Sequence, residues 1–124
     1  MSGDLLHLLT PLRQALERIE RKAMPMLATP ALLDSEEGQD RLDVICMQFL
    51  AAGVALKRLE KLHPGLLTTN YPDIDWNGAM GFRDVIAHQY FDLDSEQVLL
   101  ICQEALPGLL SAIRALEADC SETA

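Results

Sequence analysis

Aromatic residues make up only 5% of the sequence, and no segment alternates apolar with polar side chains. A half-buried sheet needs that alternation, so strands have nothing to build on. Cysteine is nearly as scarce: Cys46, Cys102 and Cys120 are odd in number and show no CxxC spacing, which leaves no disulfide framework to infer. The first two sit inside apolar runs, where a small buried thiol packs well, and we expect all three to be reduced and structural in a cytoplasmic protein. No run reaches the ~18 uninterrupted apolar residues of a membrane span, and MSGDLLHLLTPLRQ shows no basic segment followed by an apolar one. We therefore expect a soluble chain that is not exported and has no membrane partner. Cations are few as well. Lys and Arg number 10 against 19 Asp and Glu, a formal charge of −9. Such a surface repels phosphate, which argues against a DNA-coating role and confines any nucleic-acid site to a local positive patch.

What is present points to helices. The chain has 124 residues, 49% hydrophobic and 23% charged, with Leu and Ala dominant. That is enough for one core and too little for two, so we read residues 1–124 as a single domain with an ordered core over about 4–118. From Leu5 to about Met26, Leu5, Leu8, Leu9, Leu12, Ala15, Leu16 and Ile19 recur at three and four, leaving Arg13, Glu17, Glu20 and Arg21 outside. Pro11 predicts a kink there or the true start of the helix.

After the breaker-rich ATPALLDSEEGQD, with Asp34 or Ser35 as cap, a second helix is predicted over Gln39–Leu62. Its run Ala51-Ala52-Gly53 would admit a close neighbour, at about 1 kcal/mol of intrinsic helix stability for the glycine. HPGLLTTNYPD reads as turn and loop, with His63 at the end of the preceding helix, and Asp75 as the cap of a third helix from Trp76. Asp94 or Ser95 opens a fourth, striped by Val98, Ile101, Cys102, Ala105, Leu109, Ile113 and Leu116, with a bend expected at Pro107. The fold class is all-α, an up-down four-helix bundle.

The third helix carries GFRDVIAHQY, residues 81–90, where Arg83, Asp84, His88 and Tyr90 crowd together. Phe82, Val85 and Ile86 share the sector that can face a core. Arg83, Ala87 and Tyr90 run nearly in line, and Asp84 and His88 form a neighbouring line. Arg83 and His88 are about 140° apart on an ideal helix. Either the helix ends or distorts near His88, or two chains combine their residues across a symmetric interface. Histidine moves protons near neutral pH, arginine holds phosphate, and a carboxylate such as Asp84 can orient an imidazole. With no metal ligands nearby, the set suits cleavage of a phosphodiester through an RNA 2′-hydroxyl. On spacing alone, a capped helix end with an Arg–Asp pair and a hydrogen-bonded histidine is the commoner arrangement.

Arg83, four residues, His88, one residue, Tyr90 matches the Arg-x4-His-x-Tyr motif of HEPN-domain proteins. The surrounding NYPDIDWNGAMGFRDVIAHQYFDLD resembles the HepT-like branch, with Tyr71-Pro72, Trp76, Gly78, Gly81, Arg83-Asp84, His88, Tyr90-Phe91 and Asp94 at the recurring positions. The helix order extends the resemblance to about residues 4–118. It implies a HEPN-like homodimer joined through the motif helix, an RNA-cleaving toxin with Arg83 and His88 of both protomers in a shared cleft. It also implies a minimal nucleotidyltransferase antitoxin as partner, which can silence such toxins by adding AMP to the motif tyrosine, here Tyr90. No cofactor and no metal are expected. One position departs: in GVALKRLEK, residues 53–61, Val54 stands where relatives commonly read glutamate in G-E-A-L-K.

Lys57, Arg58 and Lys61 lie on adjoining positions of the second helix. They are candidates for an RNA-facing rim, although a solvated face shared with Glu60 is the commoner arrangement. Trp76 and Phe91 bracket the motif helix as expected anchors. Two readings follow. In the first, the chain is a metal-independent endoribonuclease with His88 as general acid or base, Arg83 as phosphate ligand, Asp84 as orienting group and Tyr90 as modifiable switch. In the second it is a non-catalytic dimeric adaptor or substrate-binding subunit for a nucleotidyltransferase. The −9 charge and Val54 favour the second, and the intact motif favours the first.

Overall fold

In the computed structural model, residues 2–123 are described, and among them there is no strand. Six helices follow one another: α1 (Ser2–Ala28), α2 (Glu36–Leu62), α3 (Leu66–Asn70), α4 (Trp76–Gln89), α5 (Ser95–Glu104) and α6 (Leu106–Thr123). Single 3₁₀ turns at Pro30–Asp34 and Tyr90–Asp92 join α1 to α2 and α4 to α5. The expected four-helix order holds, with two differences. HPGLLTTN is not all loop: Gly65, at φ 81°, turns the chain into the short α3, whose Leu67 is fully buried. The fourth expected helix is two, α5 and α6, bent by 46° at Ala105, two residues before Pro107. Pro11 neither ends nor starts α1, which runs through it from Ser2. A proline forfeits one backbone bond, and the buried stripe on either side holds the helix across the gap.

That stripe is Leu9, Leu12, Leu16, Ile19, Ala23 and Met26, none more than 2% exposed. Each large side chain removed from water contributes about 1.5–3 kcal/mol. Most of what holds α1 against α2 and α6 is therefore this face, and Leu16→Ala would cost about 2–5 kcal/mol. A polar clamp lies over it. Arg13 donates to Glu17 at 2.6 Å and to Glu117 at 2.7 Å, and Arg114 donates to Glu17 at 3.0 Å, tying α1 to α6.

The caps follow the sequence. The Ser35 hydroxyl accepts from the Gly38 N–H at the start of α2, Asp75 accepts from Gly78 at the start of α4, and Asp94 accepts from Glu96 and Gln97 at the start of α5. The His63 N–H closes α2 onto the Leu59 carbonyl. All three cysteines are free and buried. No single helix among the described residues is long and apolar enough to cross a membrane.

Helix α4 sits differently from the others. It packs on α2 and buries only Trp76 and Ile86. Between α2, α4 and the α5–α6 bend an apolar groove of about 760 Å³ stays open, lined by Phe49, Leu56, Phe82, Val85, Ile101 and Leu109 among others. Val85, expected to face the core, is instead 40% exposed at its edge. The reason is that α4 leans mainly on α2, so only one narrow sector of it is covered.

Candidate functional site

Two features pin the start of α4. Trp76 is 2% exposed and its indole N–H donates to the Tyr71 carbonyl at 3.0 Å, so this expected anchor holds. Further along, α4 crosses α2 at Gly53. A Cβ there would come within 2.5 Å of the Arg83 Cβ, closer than any ordinary contact. Gly53 is what lets the Arg83 backbone approach α2, which is the packing that the Ala51-Ala52-Gly53 run implies. Phe82 supports the same crossing with an edge-on contact to Phe49, ring centroids 5.0 Å apart.

Arg83 is thereby held against α2 with its guanidinium partly exposed. Its Nη1 donates to Asp84 at 3.1 Å, while its Nε is buried and has no acceptor among the described residues. Asp84 also receives Lys57 from α2, at 3.3 Å. Lys57 first, and Arg83 after it, hold the Asp84 carboxyl below the usual carboxylate range. Both ends of the Lys57 pair are nearly half exposed, so it orients more than it stabilises. Within this chain Asp84 joins Lys57 to Arg83 and makes no hydrogen bond to His88. At i and i+4 the two side chains are in reach of each other, but Asp84 finds cations on either side and turns to them.

His88 lies in the last turn of α4, exposed, with no hydrogen bond or ion pair to any described residue. It falls on the line of Gly81 and Val85, at i+7 and i+3, whereas Arg83 faces α2. The α-helix ends at Gln89, just past His88, yet Arg83 and His88 remain on different edges of α4. Within one chain they do not converge.

Tyr90 begins the 3₁₀ turn. Its hydroxyl donates to Asp43 of α2, and this hydrogen bond is the first reason why the phenol is pushed up to about 12; partial burial adds to it. Nothing in the sequence marked Asp43. Counting along α2 by three and four from Lys57 gives Val54, Leu50, Met47 and Asp43, and that line is the one signal that would have found it. The expected anchor role of Phe91 is overturned: the ring is 97% exposed and touches only the edge of Tyr90, at 5.6 Å. The turn is too short to carry both aromatic rings back to the bundle, and Tyr90 takes the inward place.

The same line on α2 is apolar and bare between its polar ends. Met47 is 61% exposed and Val54 50%. Asp43 and Lys57 bracket them, bonded to Tyr90 and Asp84 of α4. Of the rim candidates, Lys57 is thus taken up by Asp84, and Arg58 and Lys61 are exposed without partners among the described residues. No three His, Cys, Asp or Glu side chains among the described residues come together as a metal-ligand set. No solved structure matches the chain. The family model of ribonuclease HepT-like proteins matches residues 12–116, a span from the first turns of α1 nearly to the end of α6 that includes the whole Arg83–Tyr90 stretch. The chain belongs to the ribonuclease HepT-like family.

Proposed function

We propose that the protein is a metal-independent endoribonuclease toxin that works as a homodimer. The observation that carries the reading is the split of Arg83 and His88 between two edges of α4, one held at Gly53 and the other free at the helix end. A two-fold axis beside α4 brings the His88 edge of one protomer to the Arg83 edge of its partner. Bare apolar side chains at Met47, Val54 and Phe91 supply area for such an interface.

In that cleft one His88 takes the proton of an RNA 2′-hydroxyl as the oxygen attacks the adjacent phosphorus. The other gives a proton to the departing 5′-oxygen, leaving a 2′,3′-cyclic phosphate. Arg83 neutralises the non-bridging oxygens as charge builds on them, through the partly exposed end of its guanidinium. Asp84 and Lys57 keep the guanidinium in place. Tyr90 is the site at which a minimal nucleotidyltransferase antitoxin would add AMP, in the cytoplasm. No DNA or membrane enters the scheme.

A second reading has one observation in its favour: Tyr90 and Phe91 stand on an exposed turn that offers a partner the bare Phe91 ring whether or not RNA is cut. The chain would then be a dimeric adaptor for a nucleotidyltransferase. Cleavage of total RNA in EDTA, by wild type and by folded His88→Ala and Arg83→Ala proteins, separates the two. Cleavage by wild type alone supports the ribonuclease. Absence of cleavage, with Tyr90 unmodified by mass spectrometry, supports the adaptor.

A further inference from the structure

The Tyr90–Asp92 turn is weakly held. None of its three residues is buried, and its closing backbone bond, from Leu93 N–H to the Tyr90 carbonyl, is long at 3.4 Å. Among the described residues a single side-chain hydrogen bond ties the turn to the rest of the chain, from the Tyr90 hydroxyl to Asp43. Asp43 is itself rigidly placed, two turns inside α2 behind the Ser35 cap. His88 is only two residues before Tyr90, in the last turn of α4, and has no tie of its own.

We propose that Asp43 is a positioning residue of this site: through the Tyr90 hydroxyl it holds the end of α4, and with it His88, against α2. A group esterified to the Tyr90 oxygen then acts by breaking that tie. The effect of an added nucleotide follows from the atoms. When the phenol oxygen attacks the α-phosphorus of a nucleoside triphosphate, the O–P bond forms, the bond to pyrophosphate breaks and the phenolic proton passes by way of Asp43 to water. Tyr90 can no longer donate. The new phosphodiester carries a negative charge beside the Asp43 carboxylate, so the hydrogen bond is replaced by repulsion. The turn leaves α2 and the last turn of α4 frays. Silencing then comes from displacement of His88 and does not require the nucleotide to fill the cleft.

The consequence for cleavage rests on the ribonuclease reading above; the tie itself does not, and the test keeps the two apart. Amide hydrogen exchange is measured by mass spectrometry on wild type, Asp43→Ala, Asp43→Asn and Tyr90→Phe, without RNA or any partner. Peptides covering residues 86–93 are compared with a control in α1. Loss of one hydrogen bond is expected to speed exchange about five-fold in 86–93 for Asp43→Ala and Tyr90→Phe, with the control unchanged. Asparagine still offers an acceptor and should restore most of the protection. Unchanged exchange in both Asp43→Ala and Tyr90→Phe would overturn the proposal, and so would loss in the control as well, which would mean general destabilisation. On RNA, Asp43→Ala should lower kcat and leave KM near the wild-type value, with Asp43→Asn recovering much of it. A lowered kcat that Asp43→Asn does not recover would overturn the positioning role. If wild type cleaves no RNA, the ribonuclease reading fails while the exchange result still decides the tie.

Discussion

Gly53→Ala sets two magnitudes against each other. Alanine is the better helix former by about 1 kcal/mol, and Gly53 is in the middle of α2, so propensity alone predicts a more stable protein. Sterics predict the opposite. The added methyl would start 2.5 Å from the Arg83 Cβ, 3.2 Å from its Cγ and 3.3 Å from its Cδ. A Cβ cannot be moved by changing rotamer, so the α4 backbone must retreat by about 1 Å to reach an ordinary carbon–carbon separation. Overpacking of this kind costs about 1–3 kcal/mol, which leaves a net loss of roughly 0–2 kcal/mol. Gly81 is the matched control, because a Cβ there meets nothing within 4 Å. Gly81→Ala should stabilise by up to about 1 kcal/mol. Urea unfolding of the two variants, at equal m-values, gives the comparison. The same retreat displaces Arg83 by about 1 Å, enough to reduce RNA cleavage by about 100-fold. If Gly53→Ala proves as stabilising as Gly81→Ala, the close approach of α4 to α2 is wrong. If stability falls as expected but cleavage does not, Arg83 is not where the chemistry needs it.

Other perturbations test separate parts of the account. The Glu17 carboxyl is held below its usual range, chiefly by the hydrogen bond from Arg114 and then by Arg13. A depressed folded-state value gives stability that is full above the ordinary carboxylate range and lost as pH falls through the depressed one, so Glu17→Gln should flatten the acid limb of stability below about pH 4.5; an unchanged limb would remove Glu17 from acid unfolding. Arg13→Ala should cost about 1–3 kcal/mol in urea unfolding, because it strands Glu117, one oxygen of which already lacks a partner, at the α1–α6 seam and leaves Glu17 with Arg114 alone. Burial pushes the thiols of Cys46 and Cys102 up to about 11 and about 12, so Ellman's reagent should label them only at the rate of unfolding, and rapid labelling in native buffer would contradict their placement. Phe91→Glu should turn a dimer into a monomer by light scattering while leaving the melting temperature of the monomer unchanged, since the ring is 97% exposed within one chain.

The helices were legible because their apolar residues recur at helical spacing and their caps are chemically distinct. Ser35, Asp75 and Asp94 each accept the backbone bonds that their side chains are suited to accept. What was not legible depends on contacts between elements. Nothing in TPLRQ reveals that the buried faces on both sides of Pro11 hold α1 together, and nothing in HPGLLTTN says that Leu67 reaches the core. At the site, a close approach at Gly53 could be anticipated, because a small residue in a long helix predicts a close neighbour, but only the fold shows that the neighbour is Arg83. The partners of Asp84 could not be anticipated, since Arg83 and His88 were both near it in sequence, and only the α2–α4 crossing brings Lys57 to it. Phe91 shows the commonest error: an aromatic residue beside a helix end invites burial, but burial depends on what is packed above it, and here nothing among the described residues is.

The acidity of the chain limits how RNA could be held. A formal charge of −9 on the chain opposes long-range attraction, and screening confines any attraction to within about 8–10 Å of the cations that produce it. Lys57 is occupied by Asp84, so on the α2–α4 face the chain offers Arg58, Lys61 and the partly satisfied Arg83. A dimer that engages all of these would make about six phosphate contacts, for which the logarithm of binding to single-stranded RNA should fall with the logarithm of salt at a slope near −4. Fluorescence anisotropy with His88→Ala, in which the ribonuclease reading expects no cleavage, measures this without turnover. A slope steeper than about −7 would mean that cations elsewhere on the chain touch RNA. A slope near zero would take Arg58, Lys61 and Arg83 out of contact with phosphate, and with them the argument that the α2–α4 face is where RNA is bound.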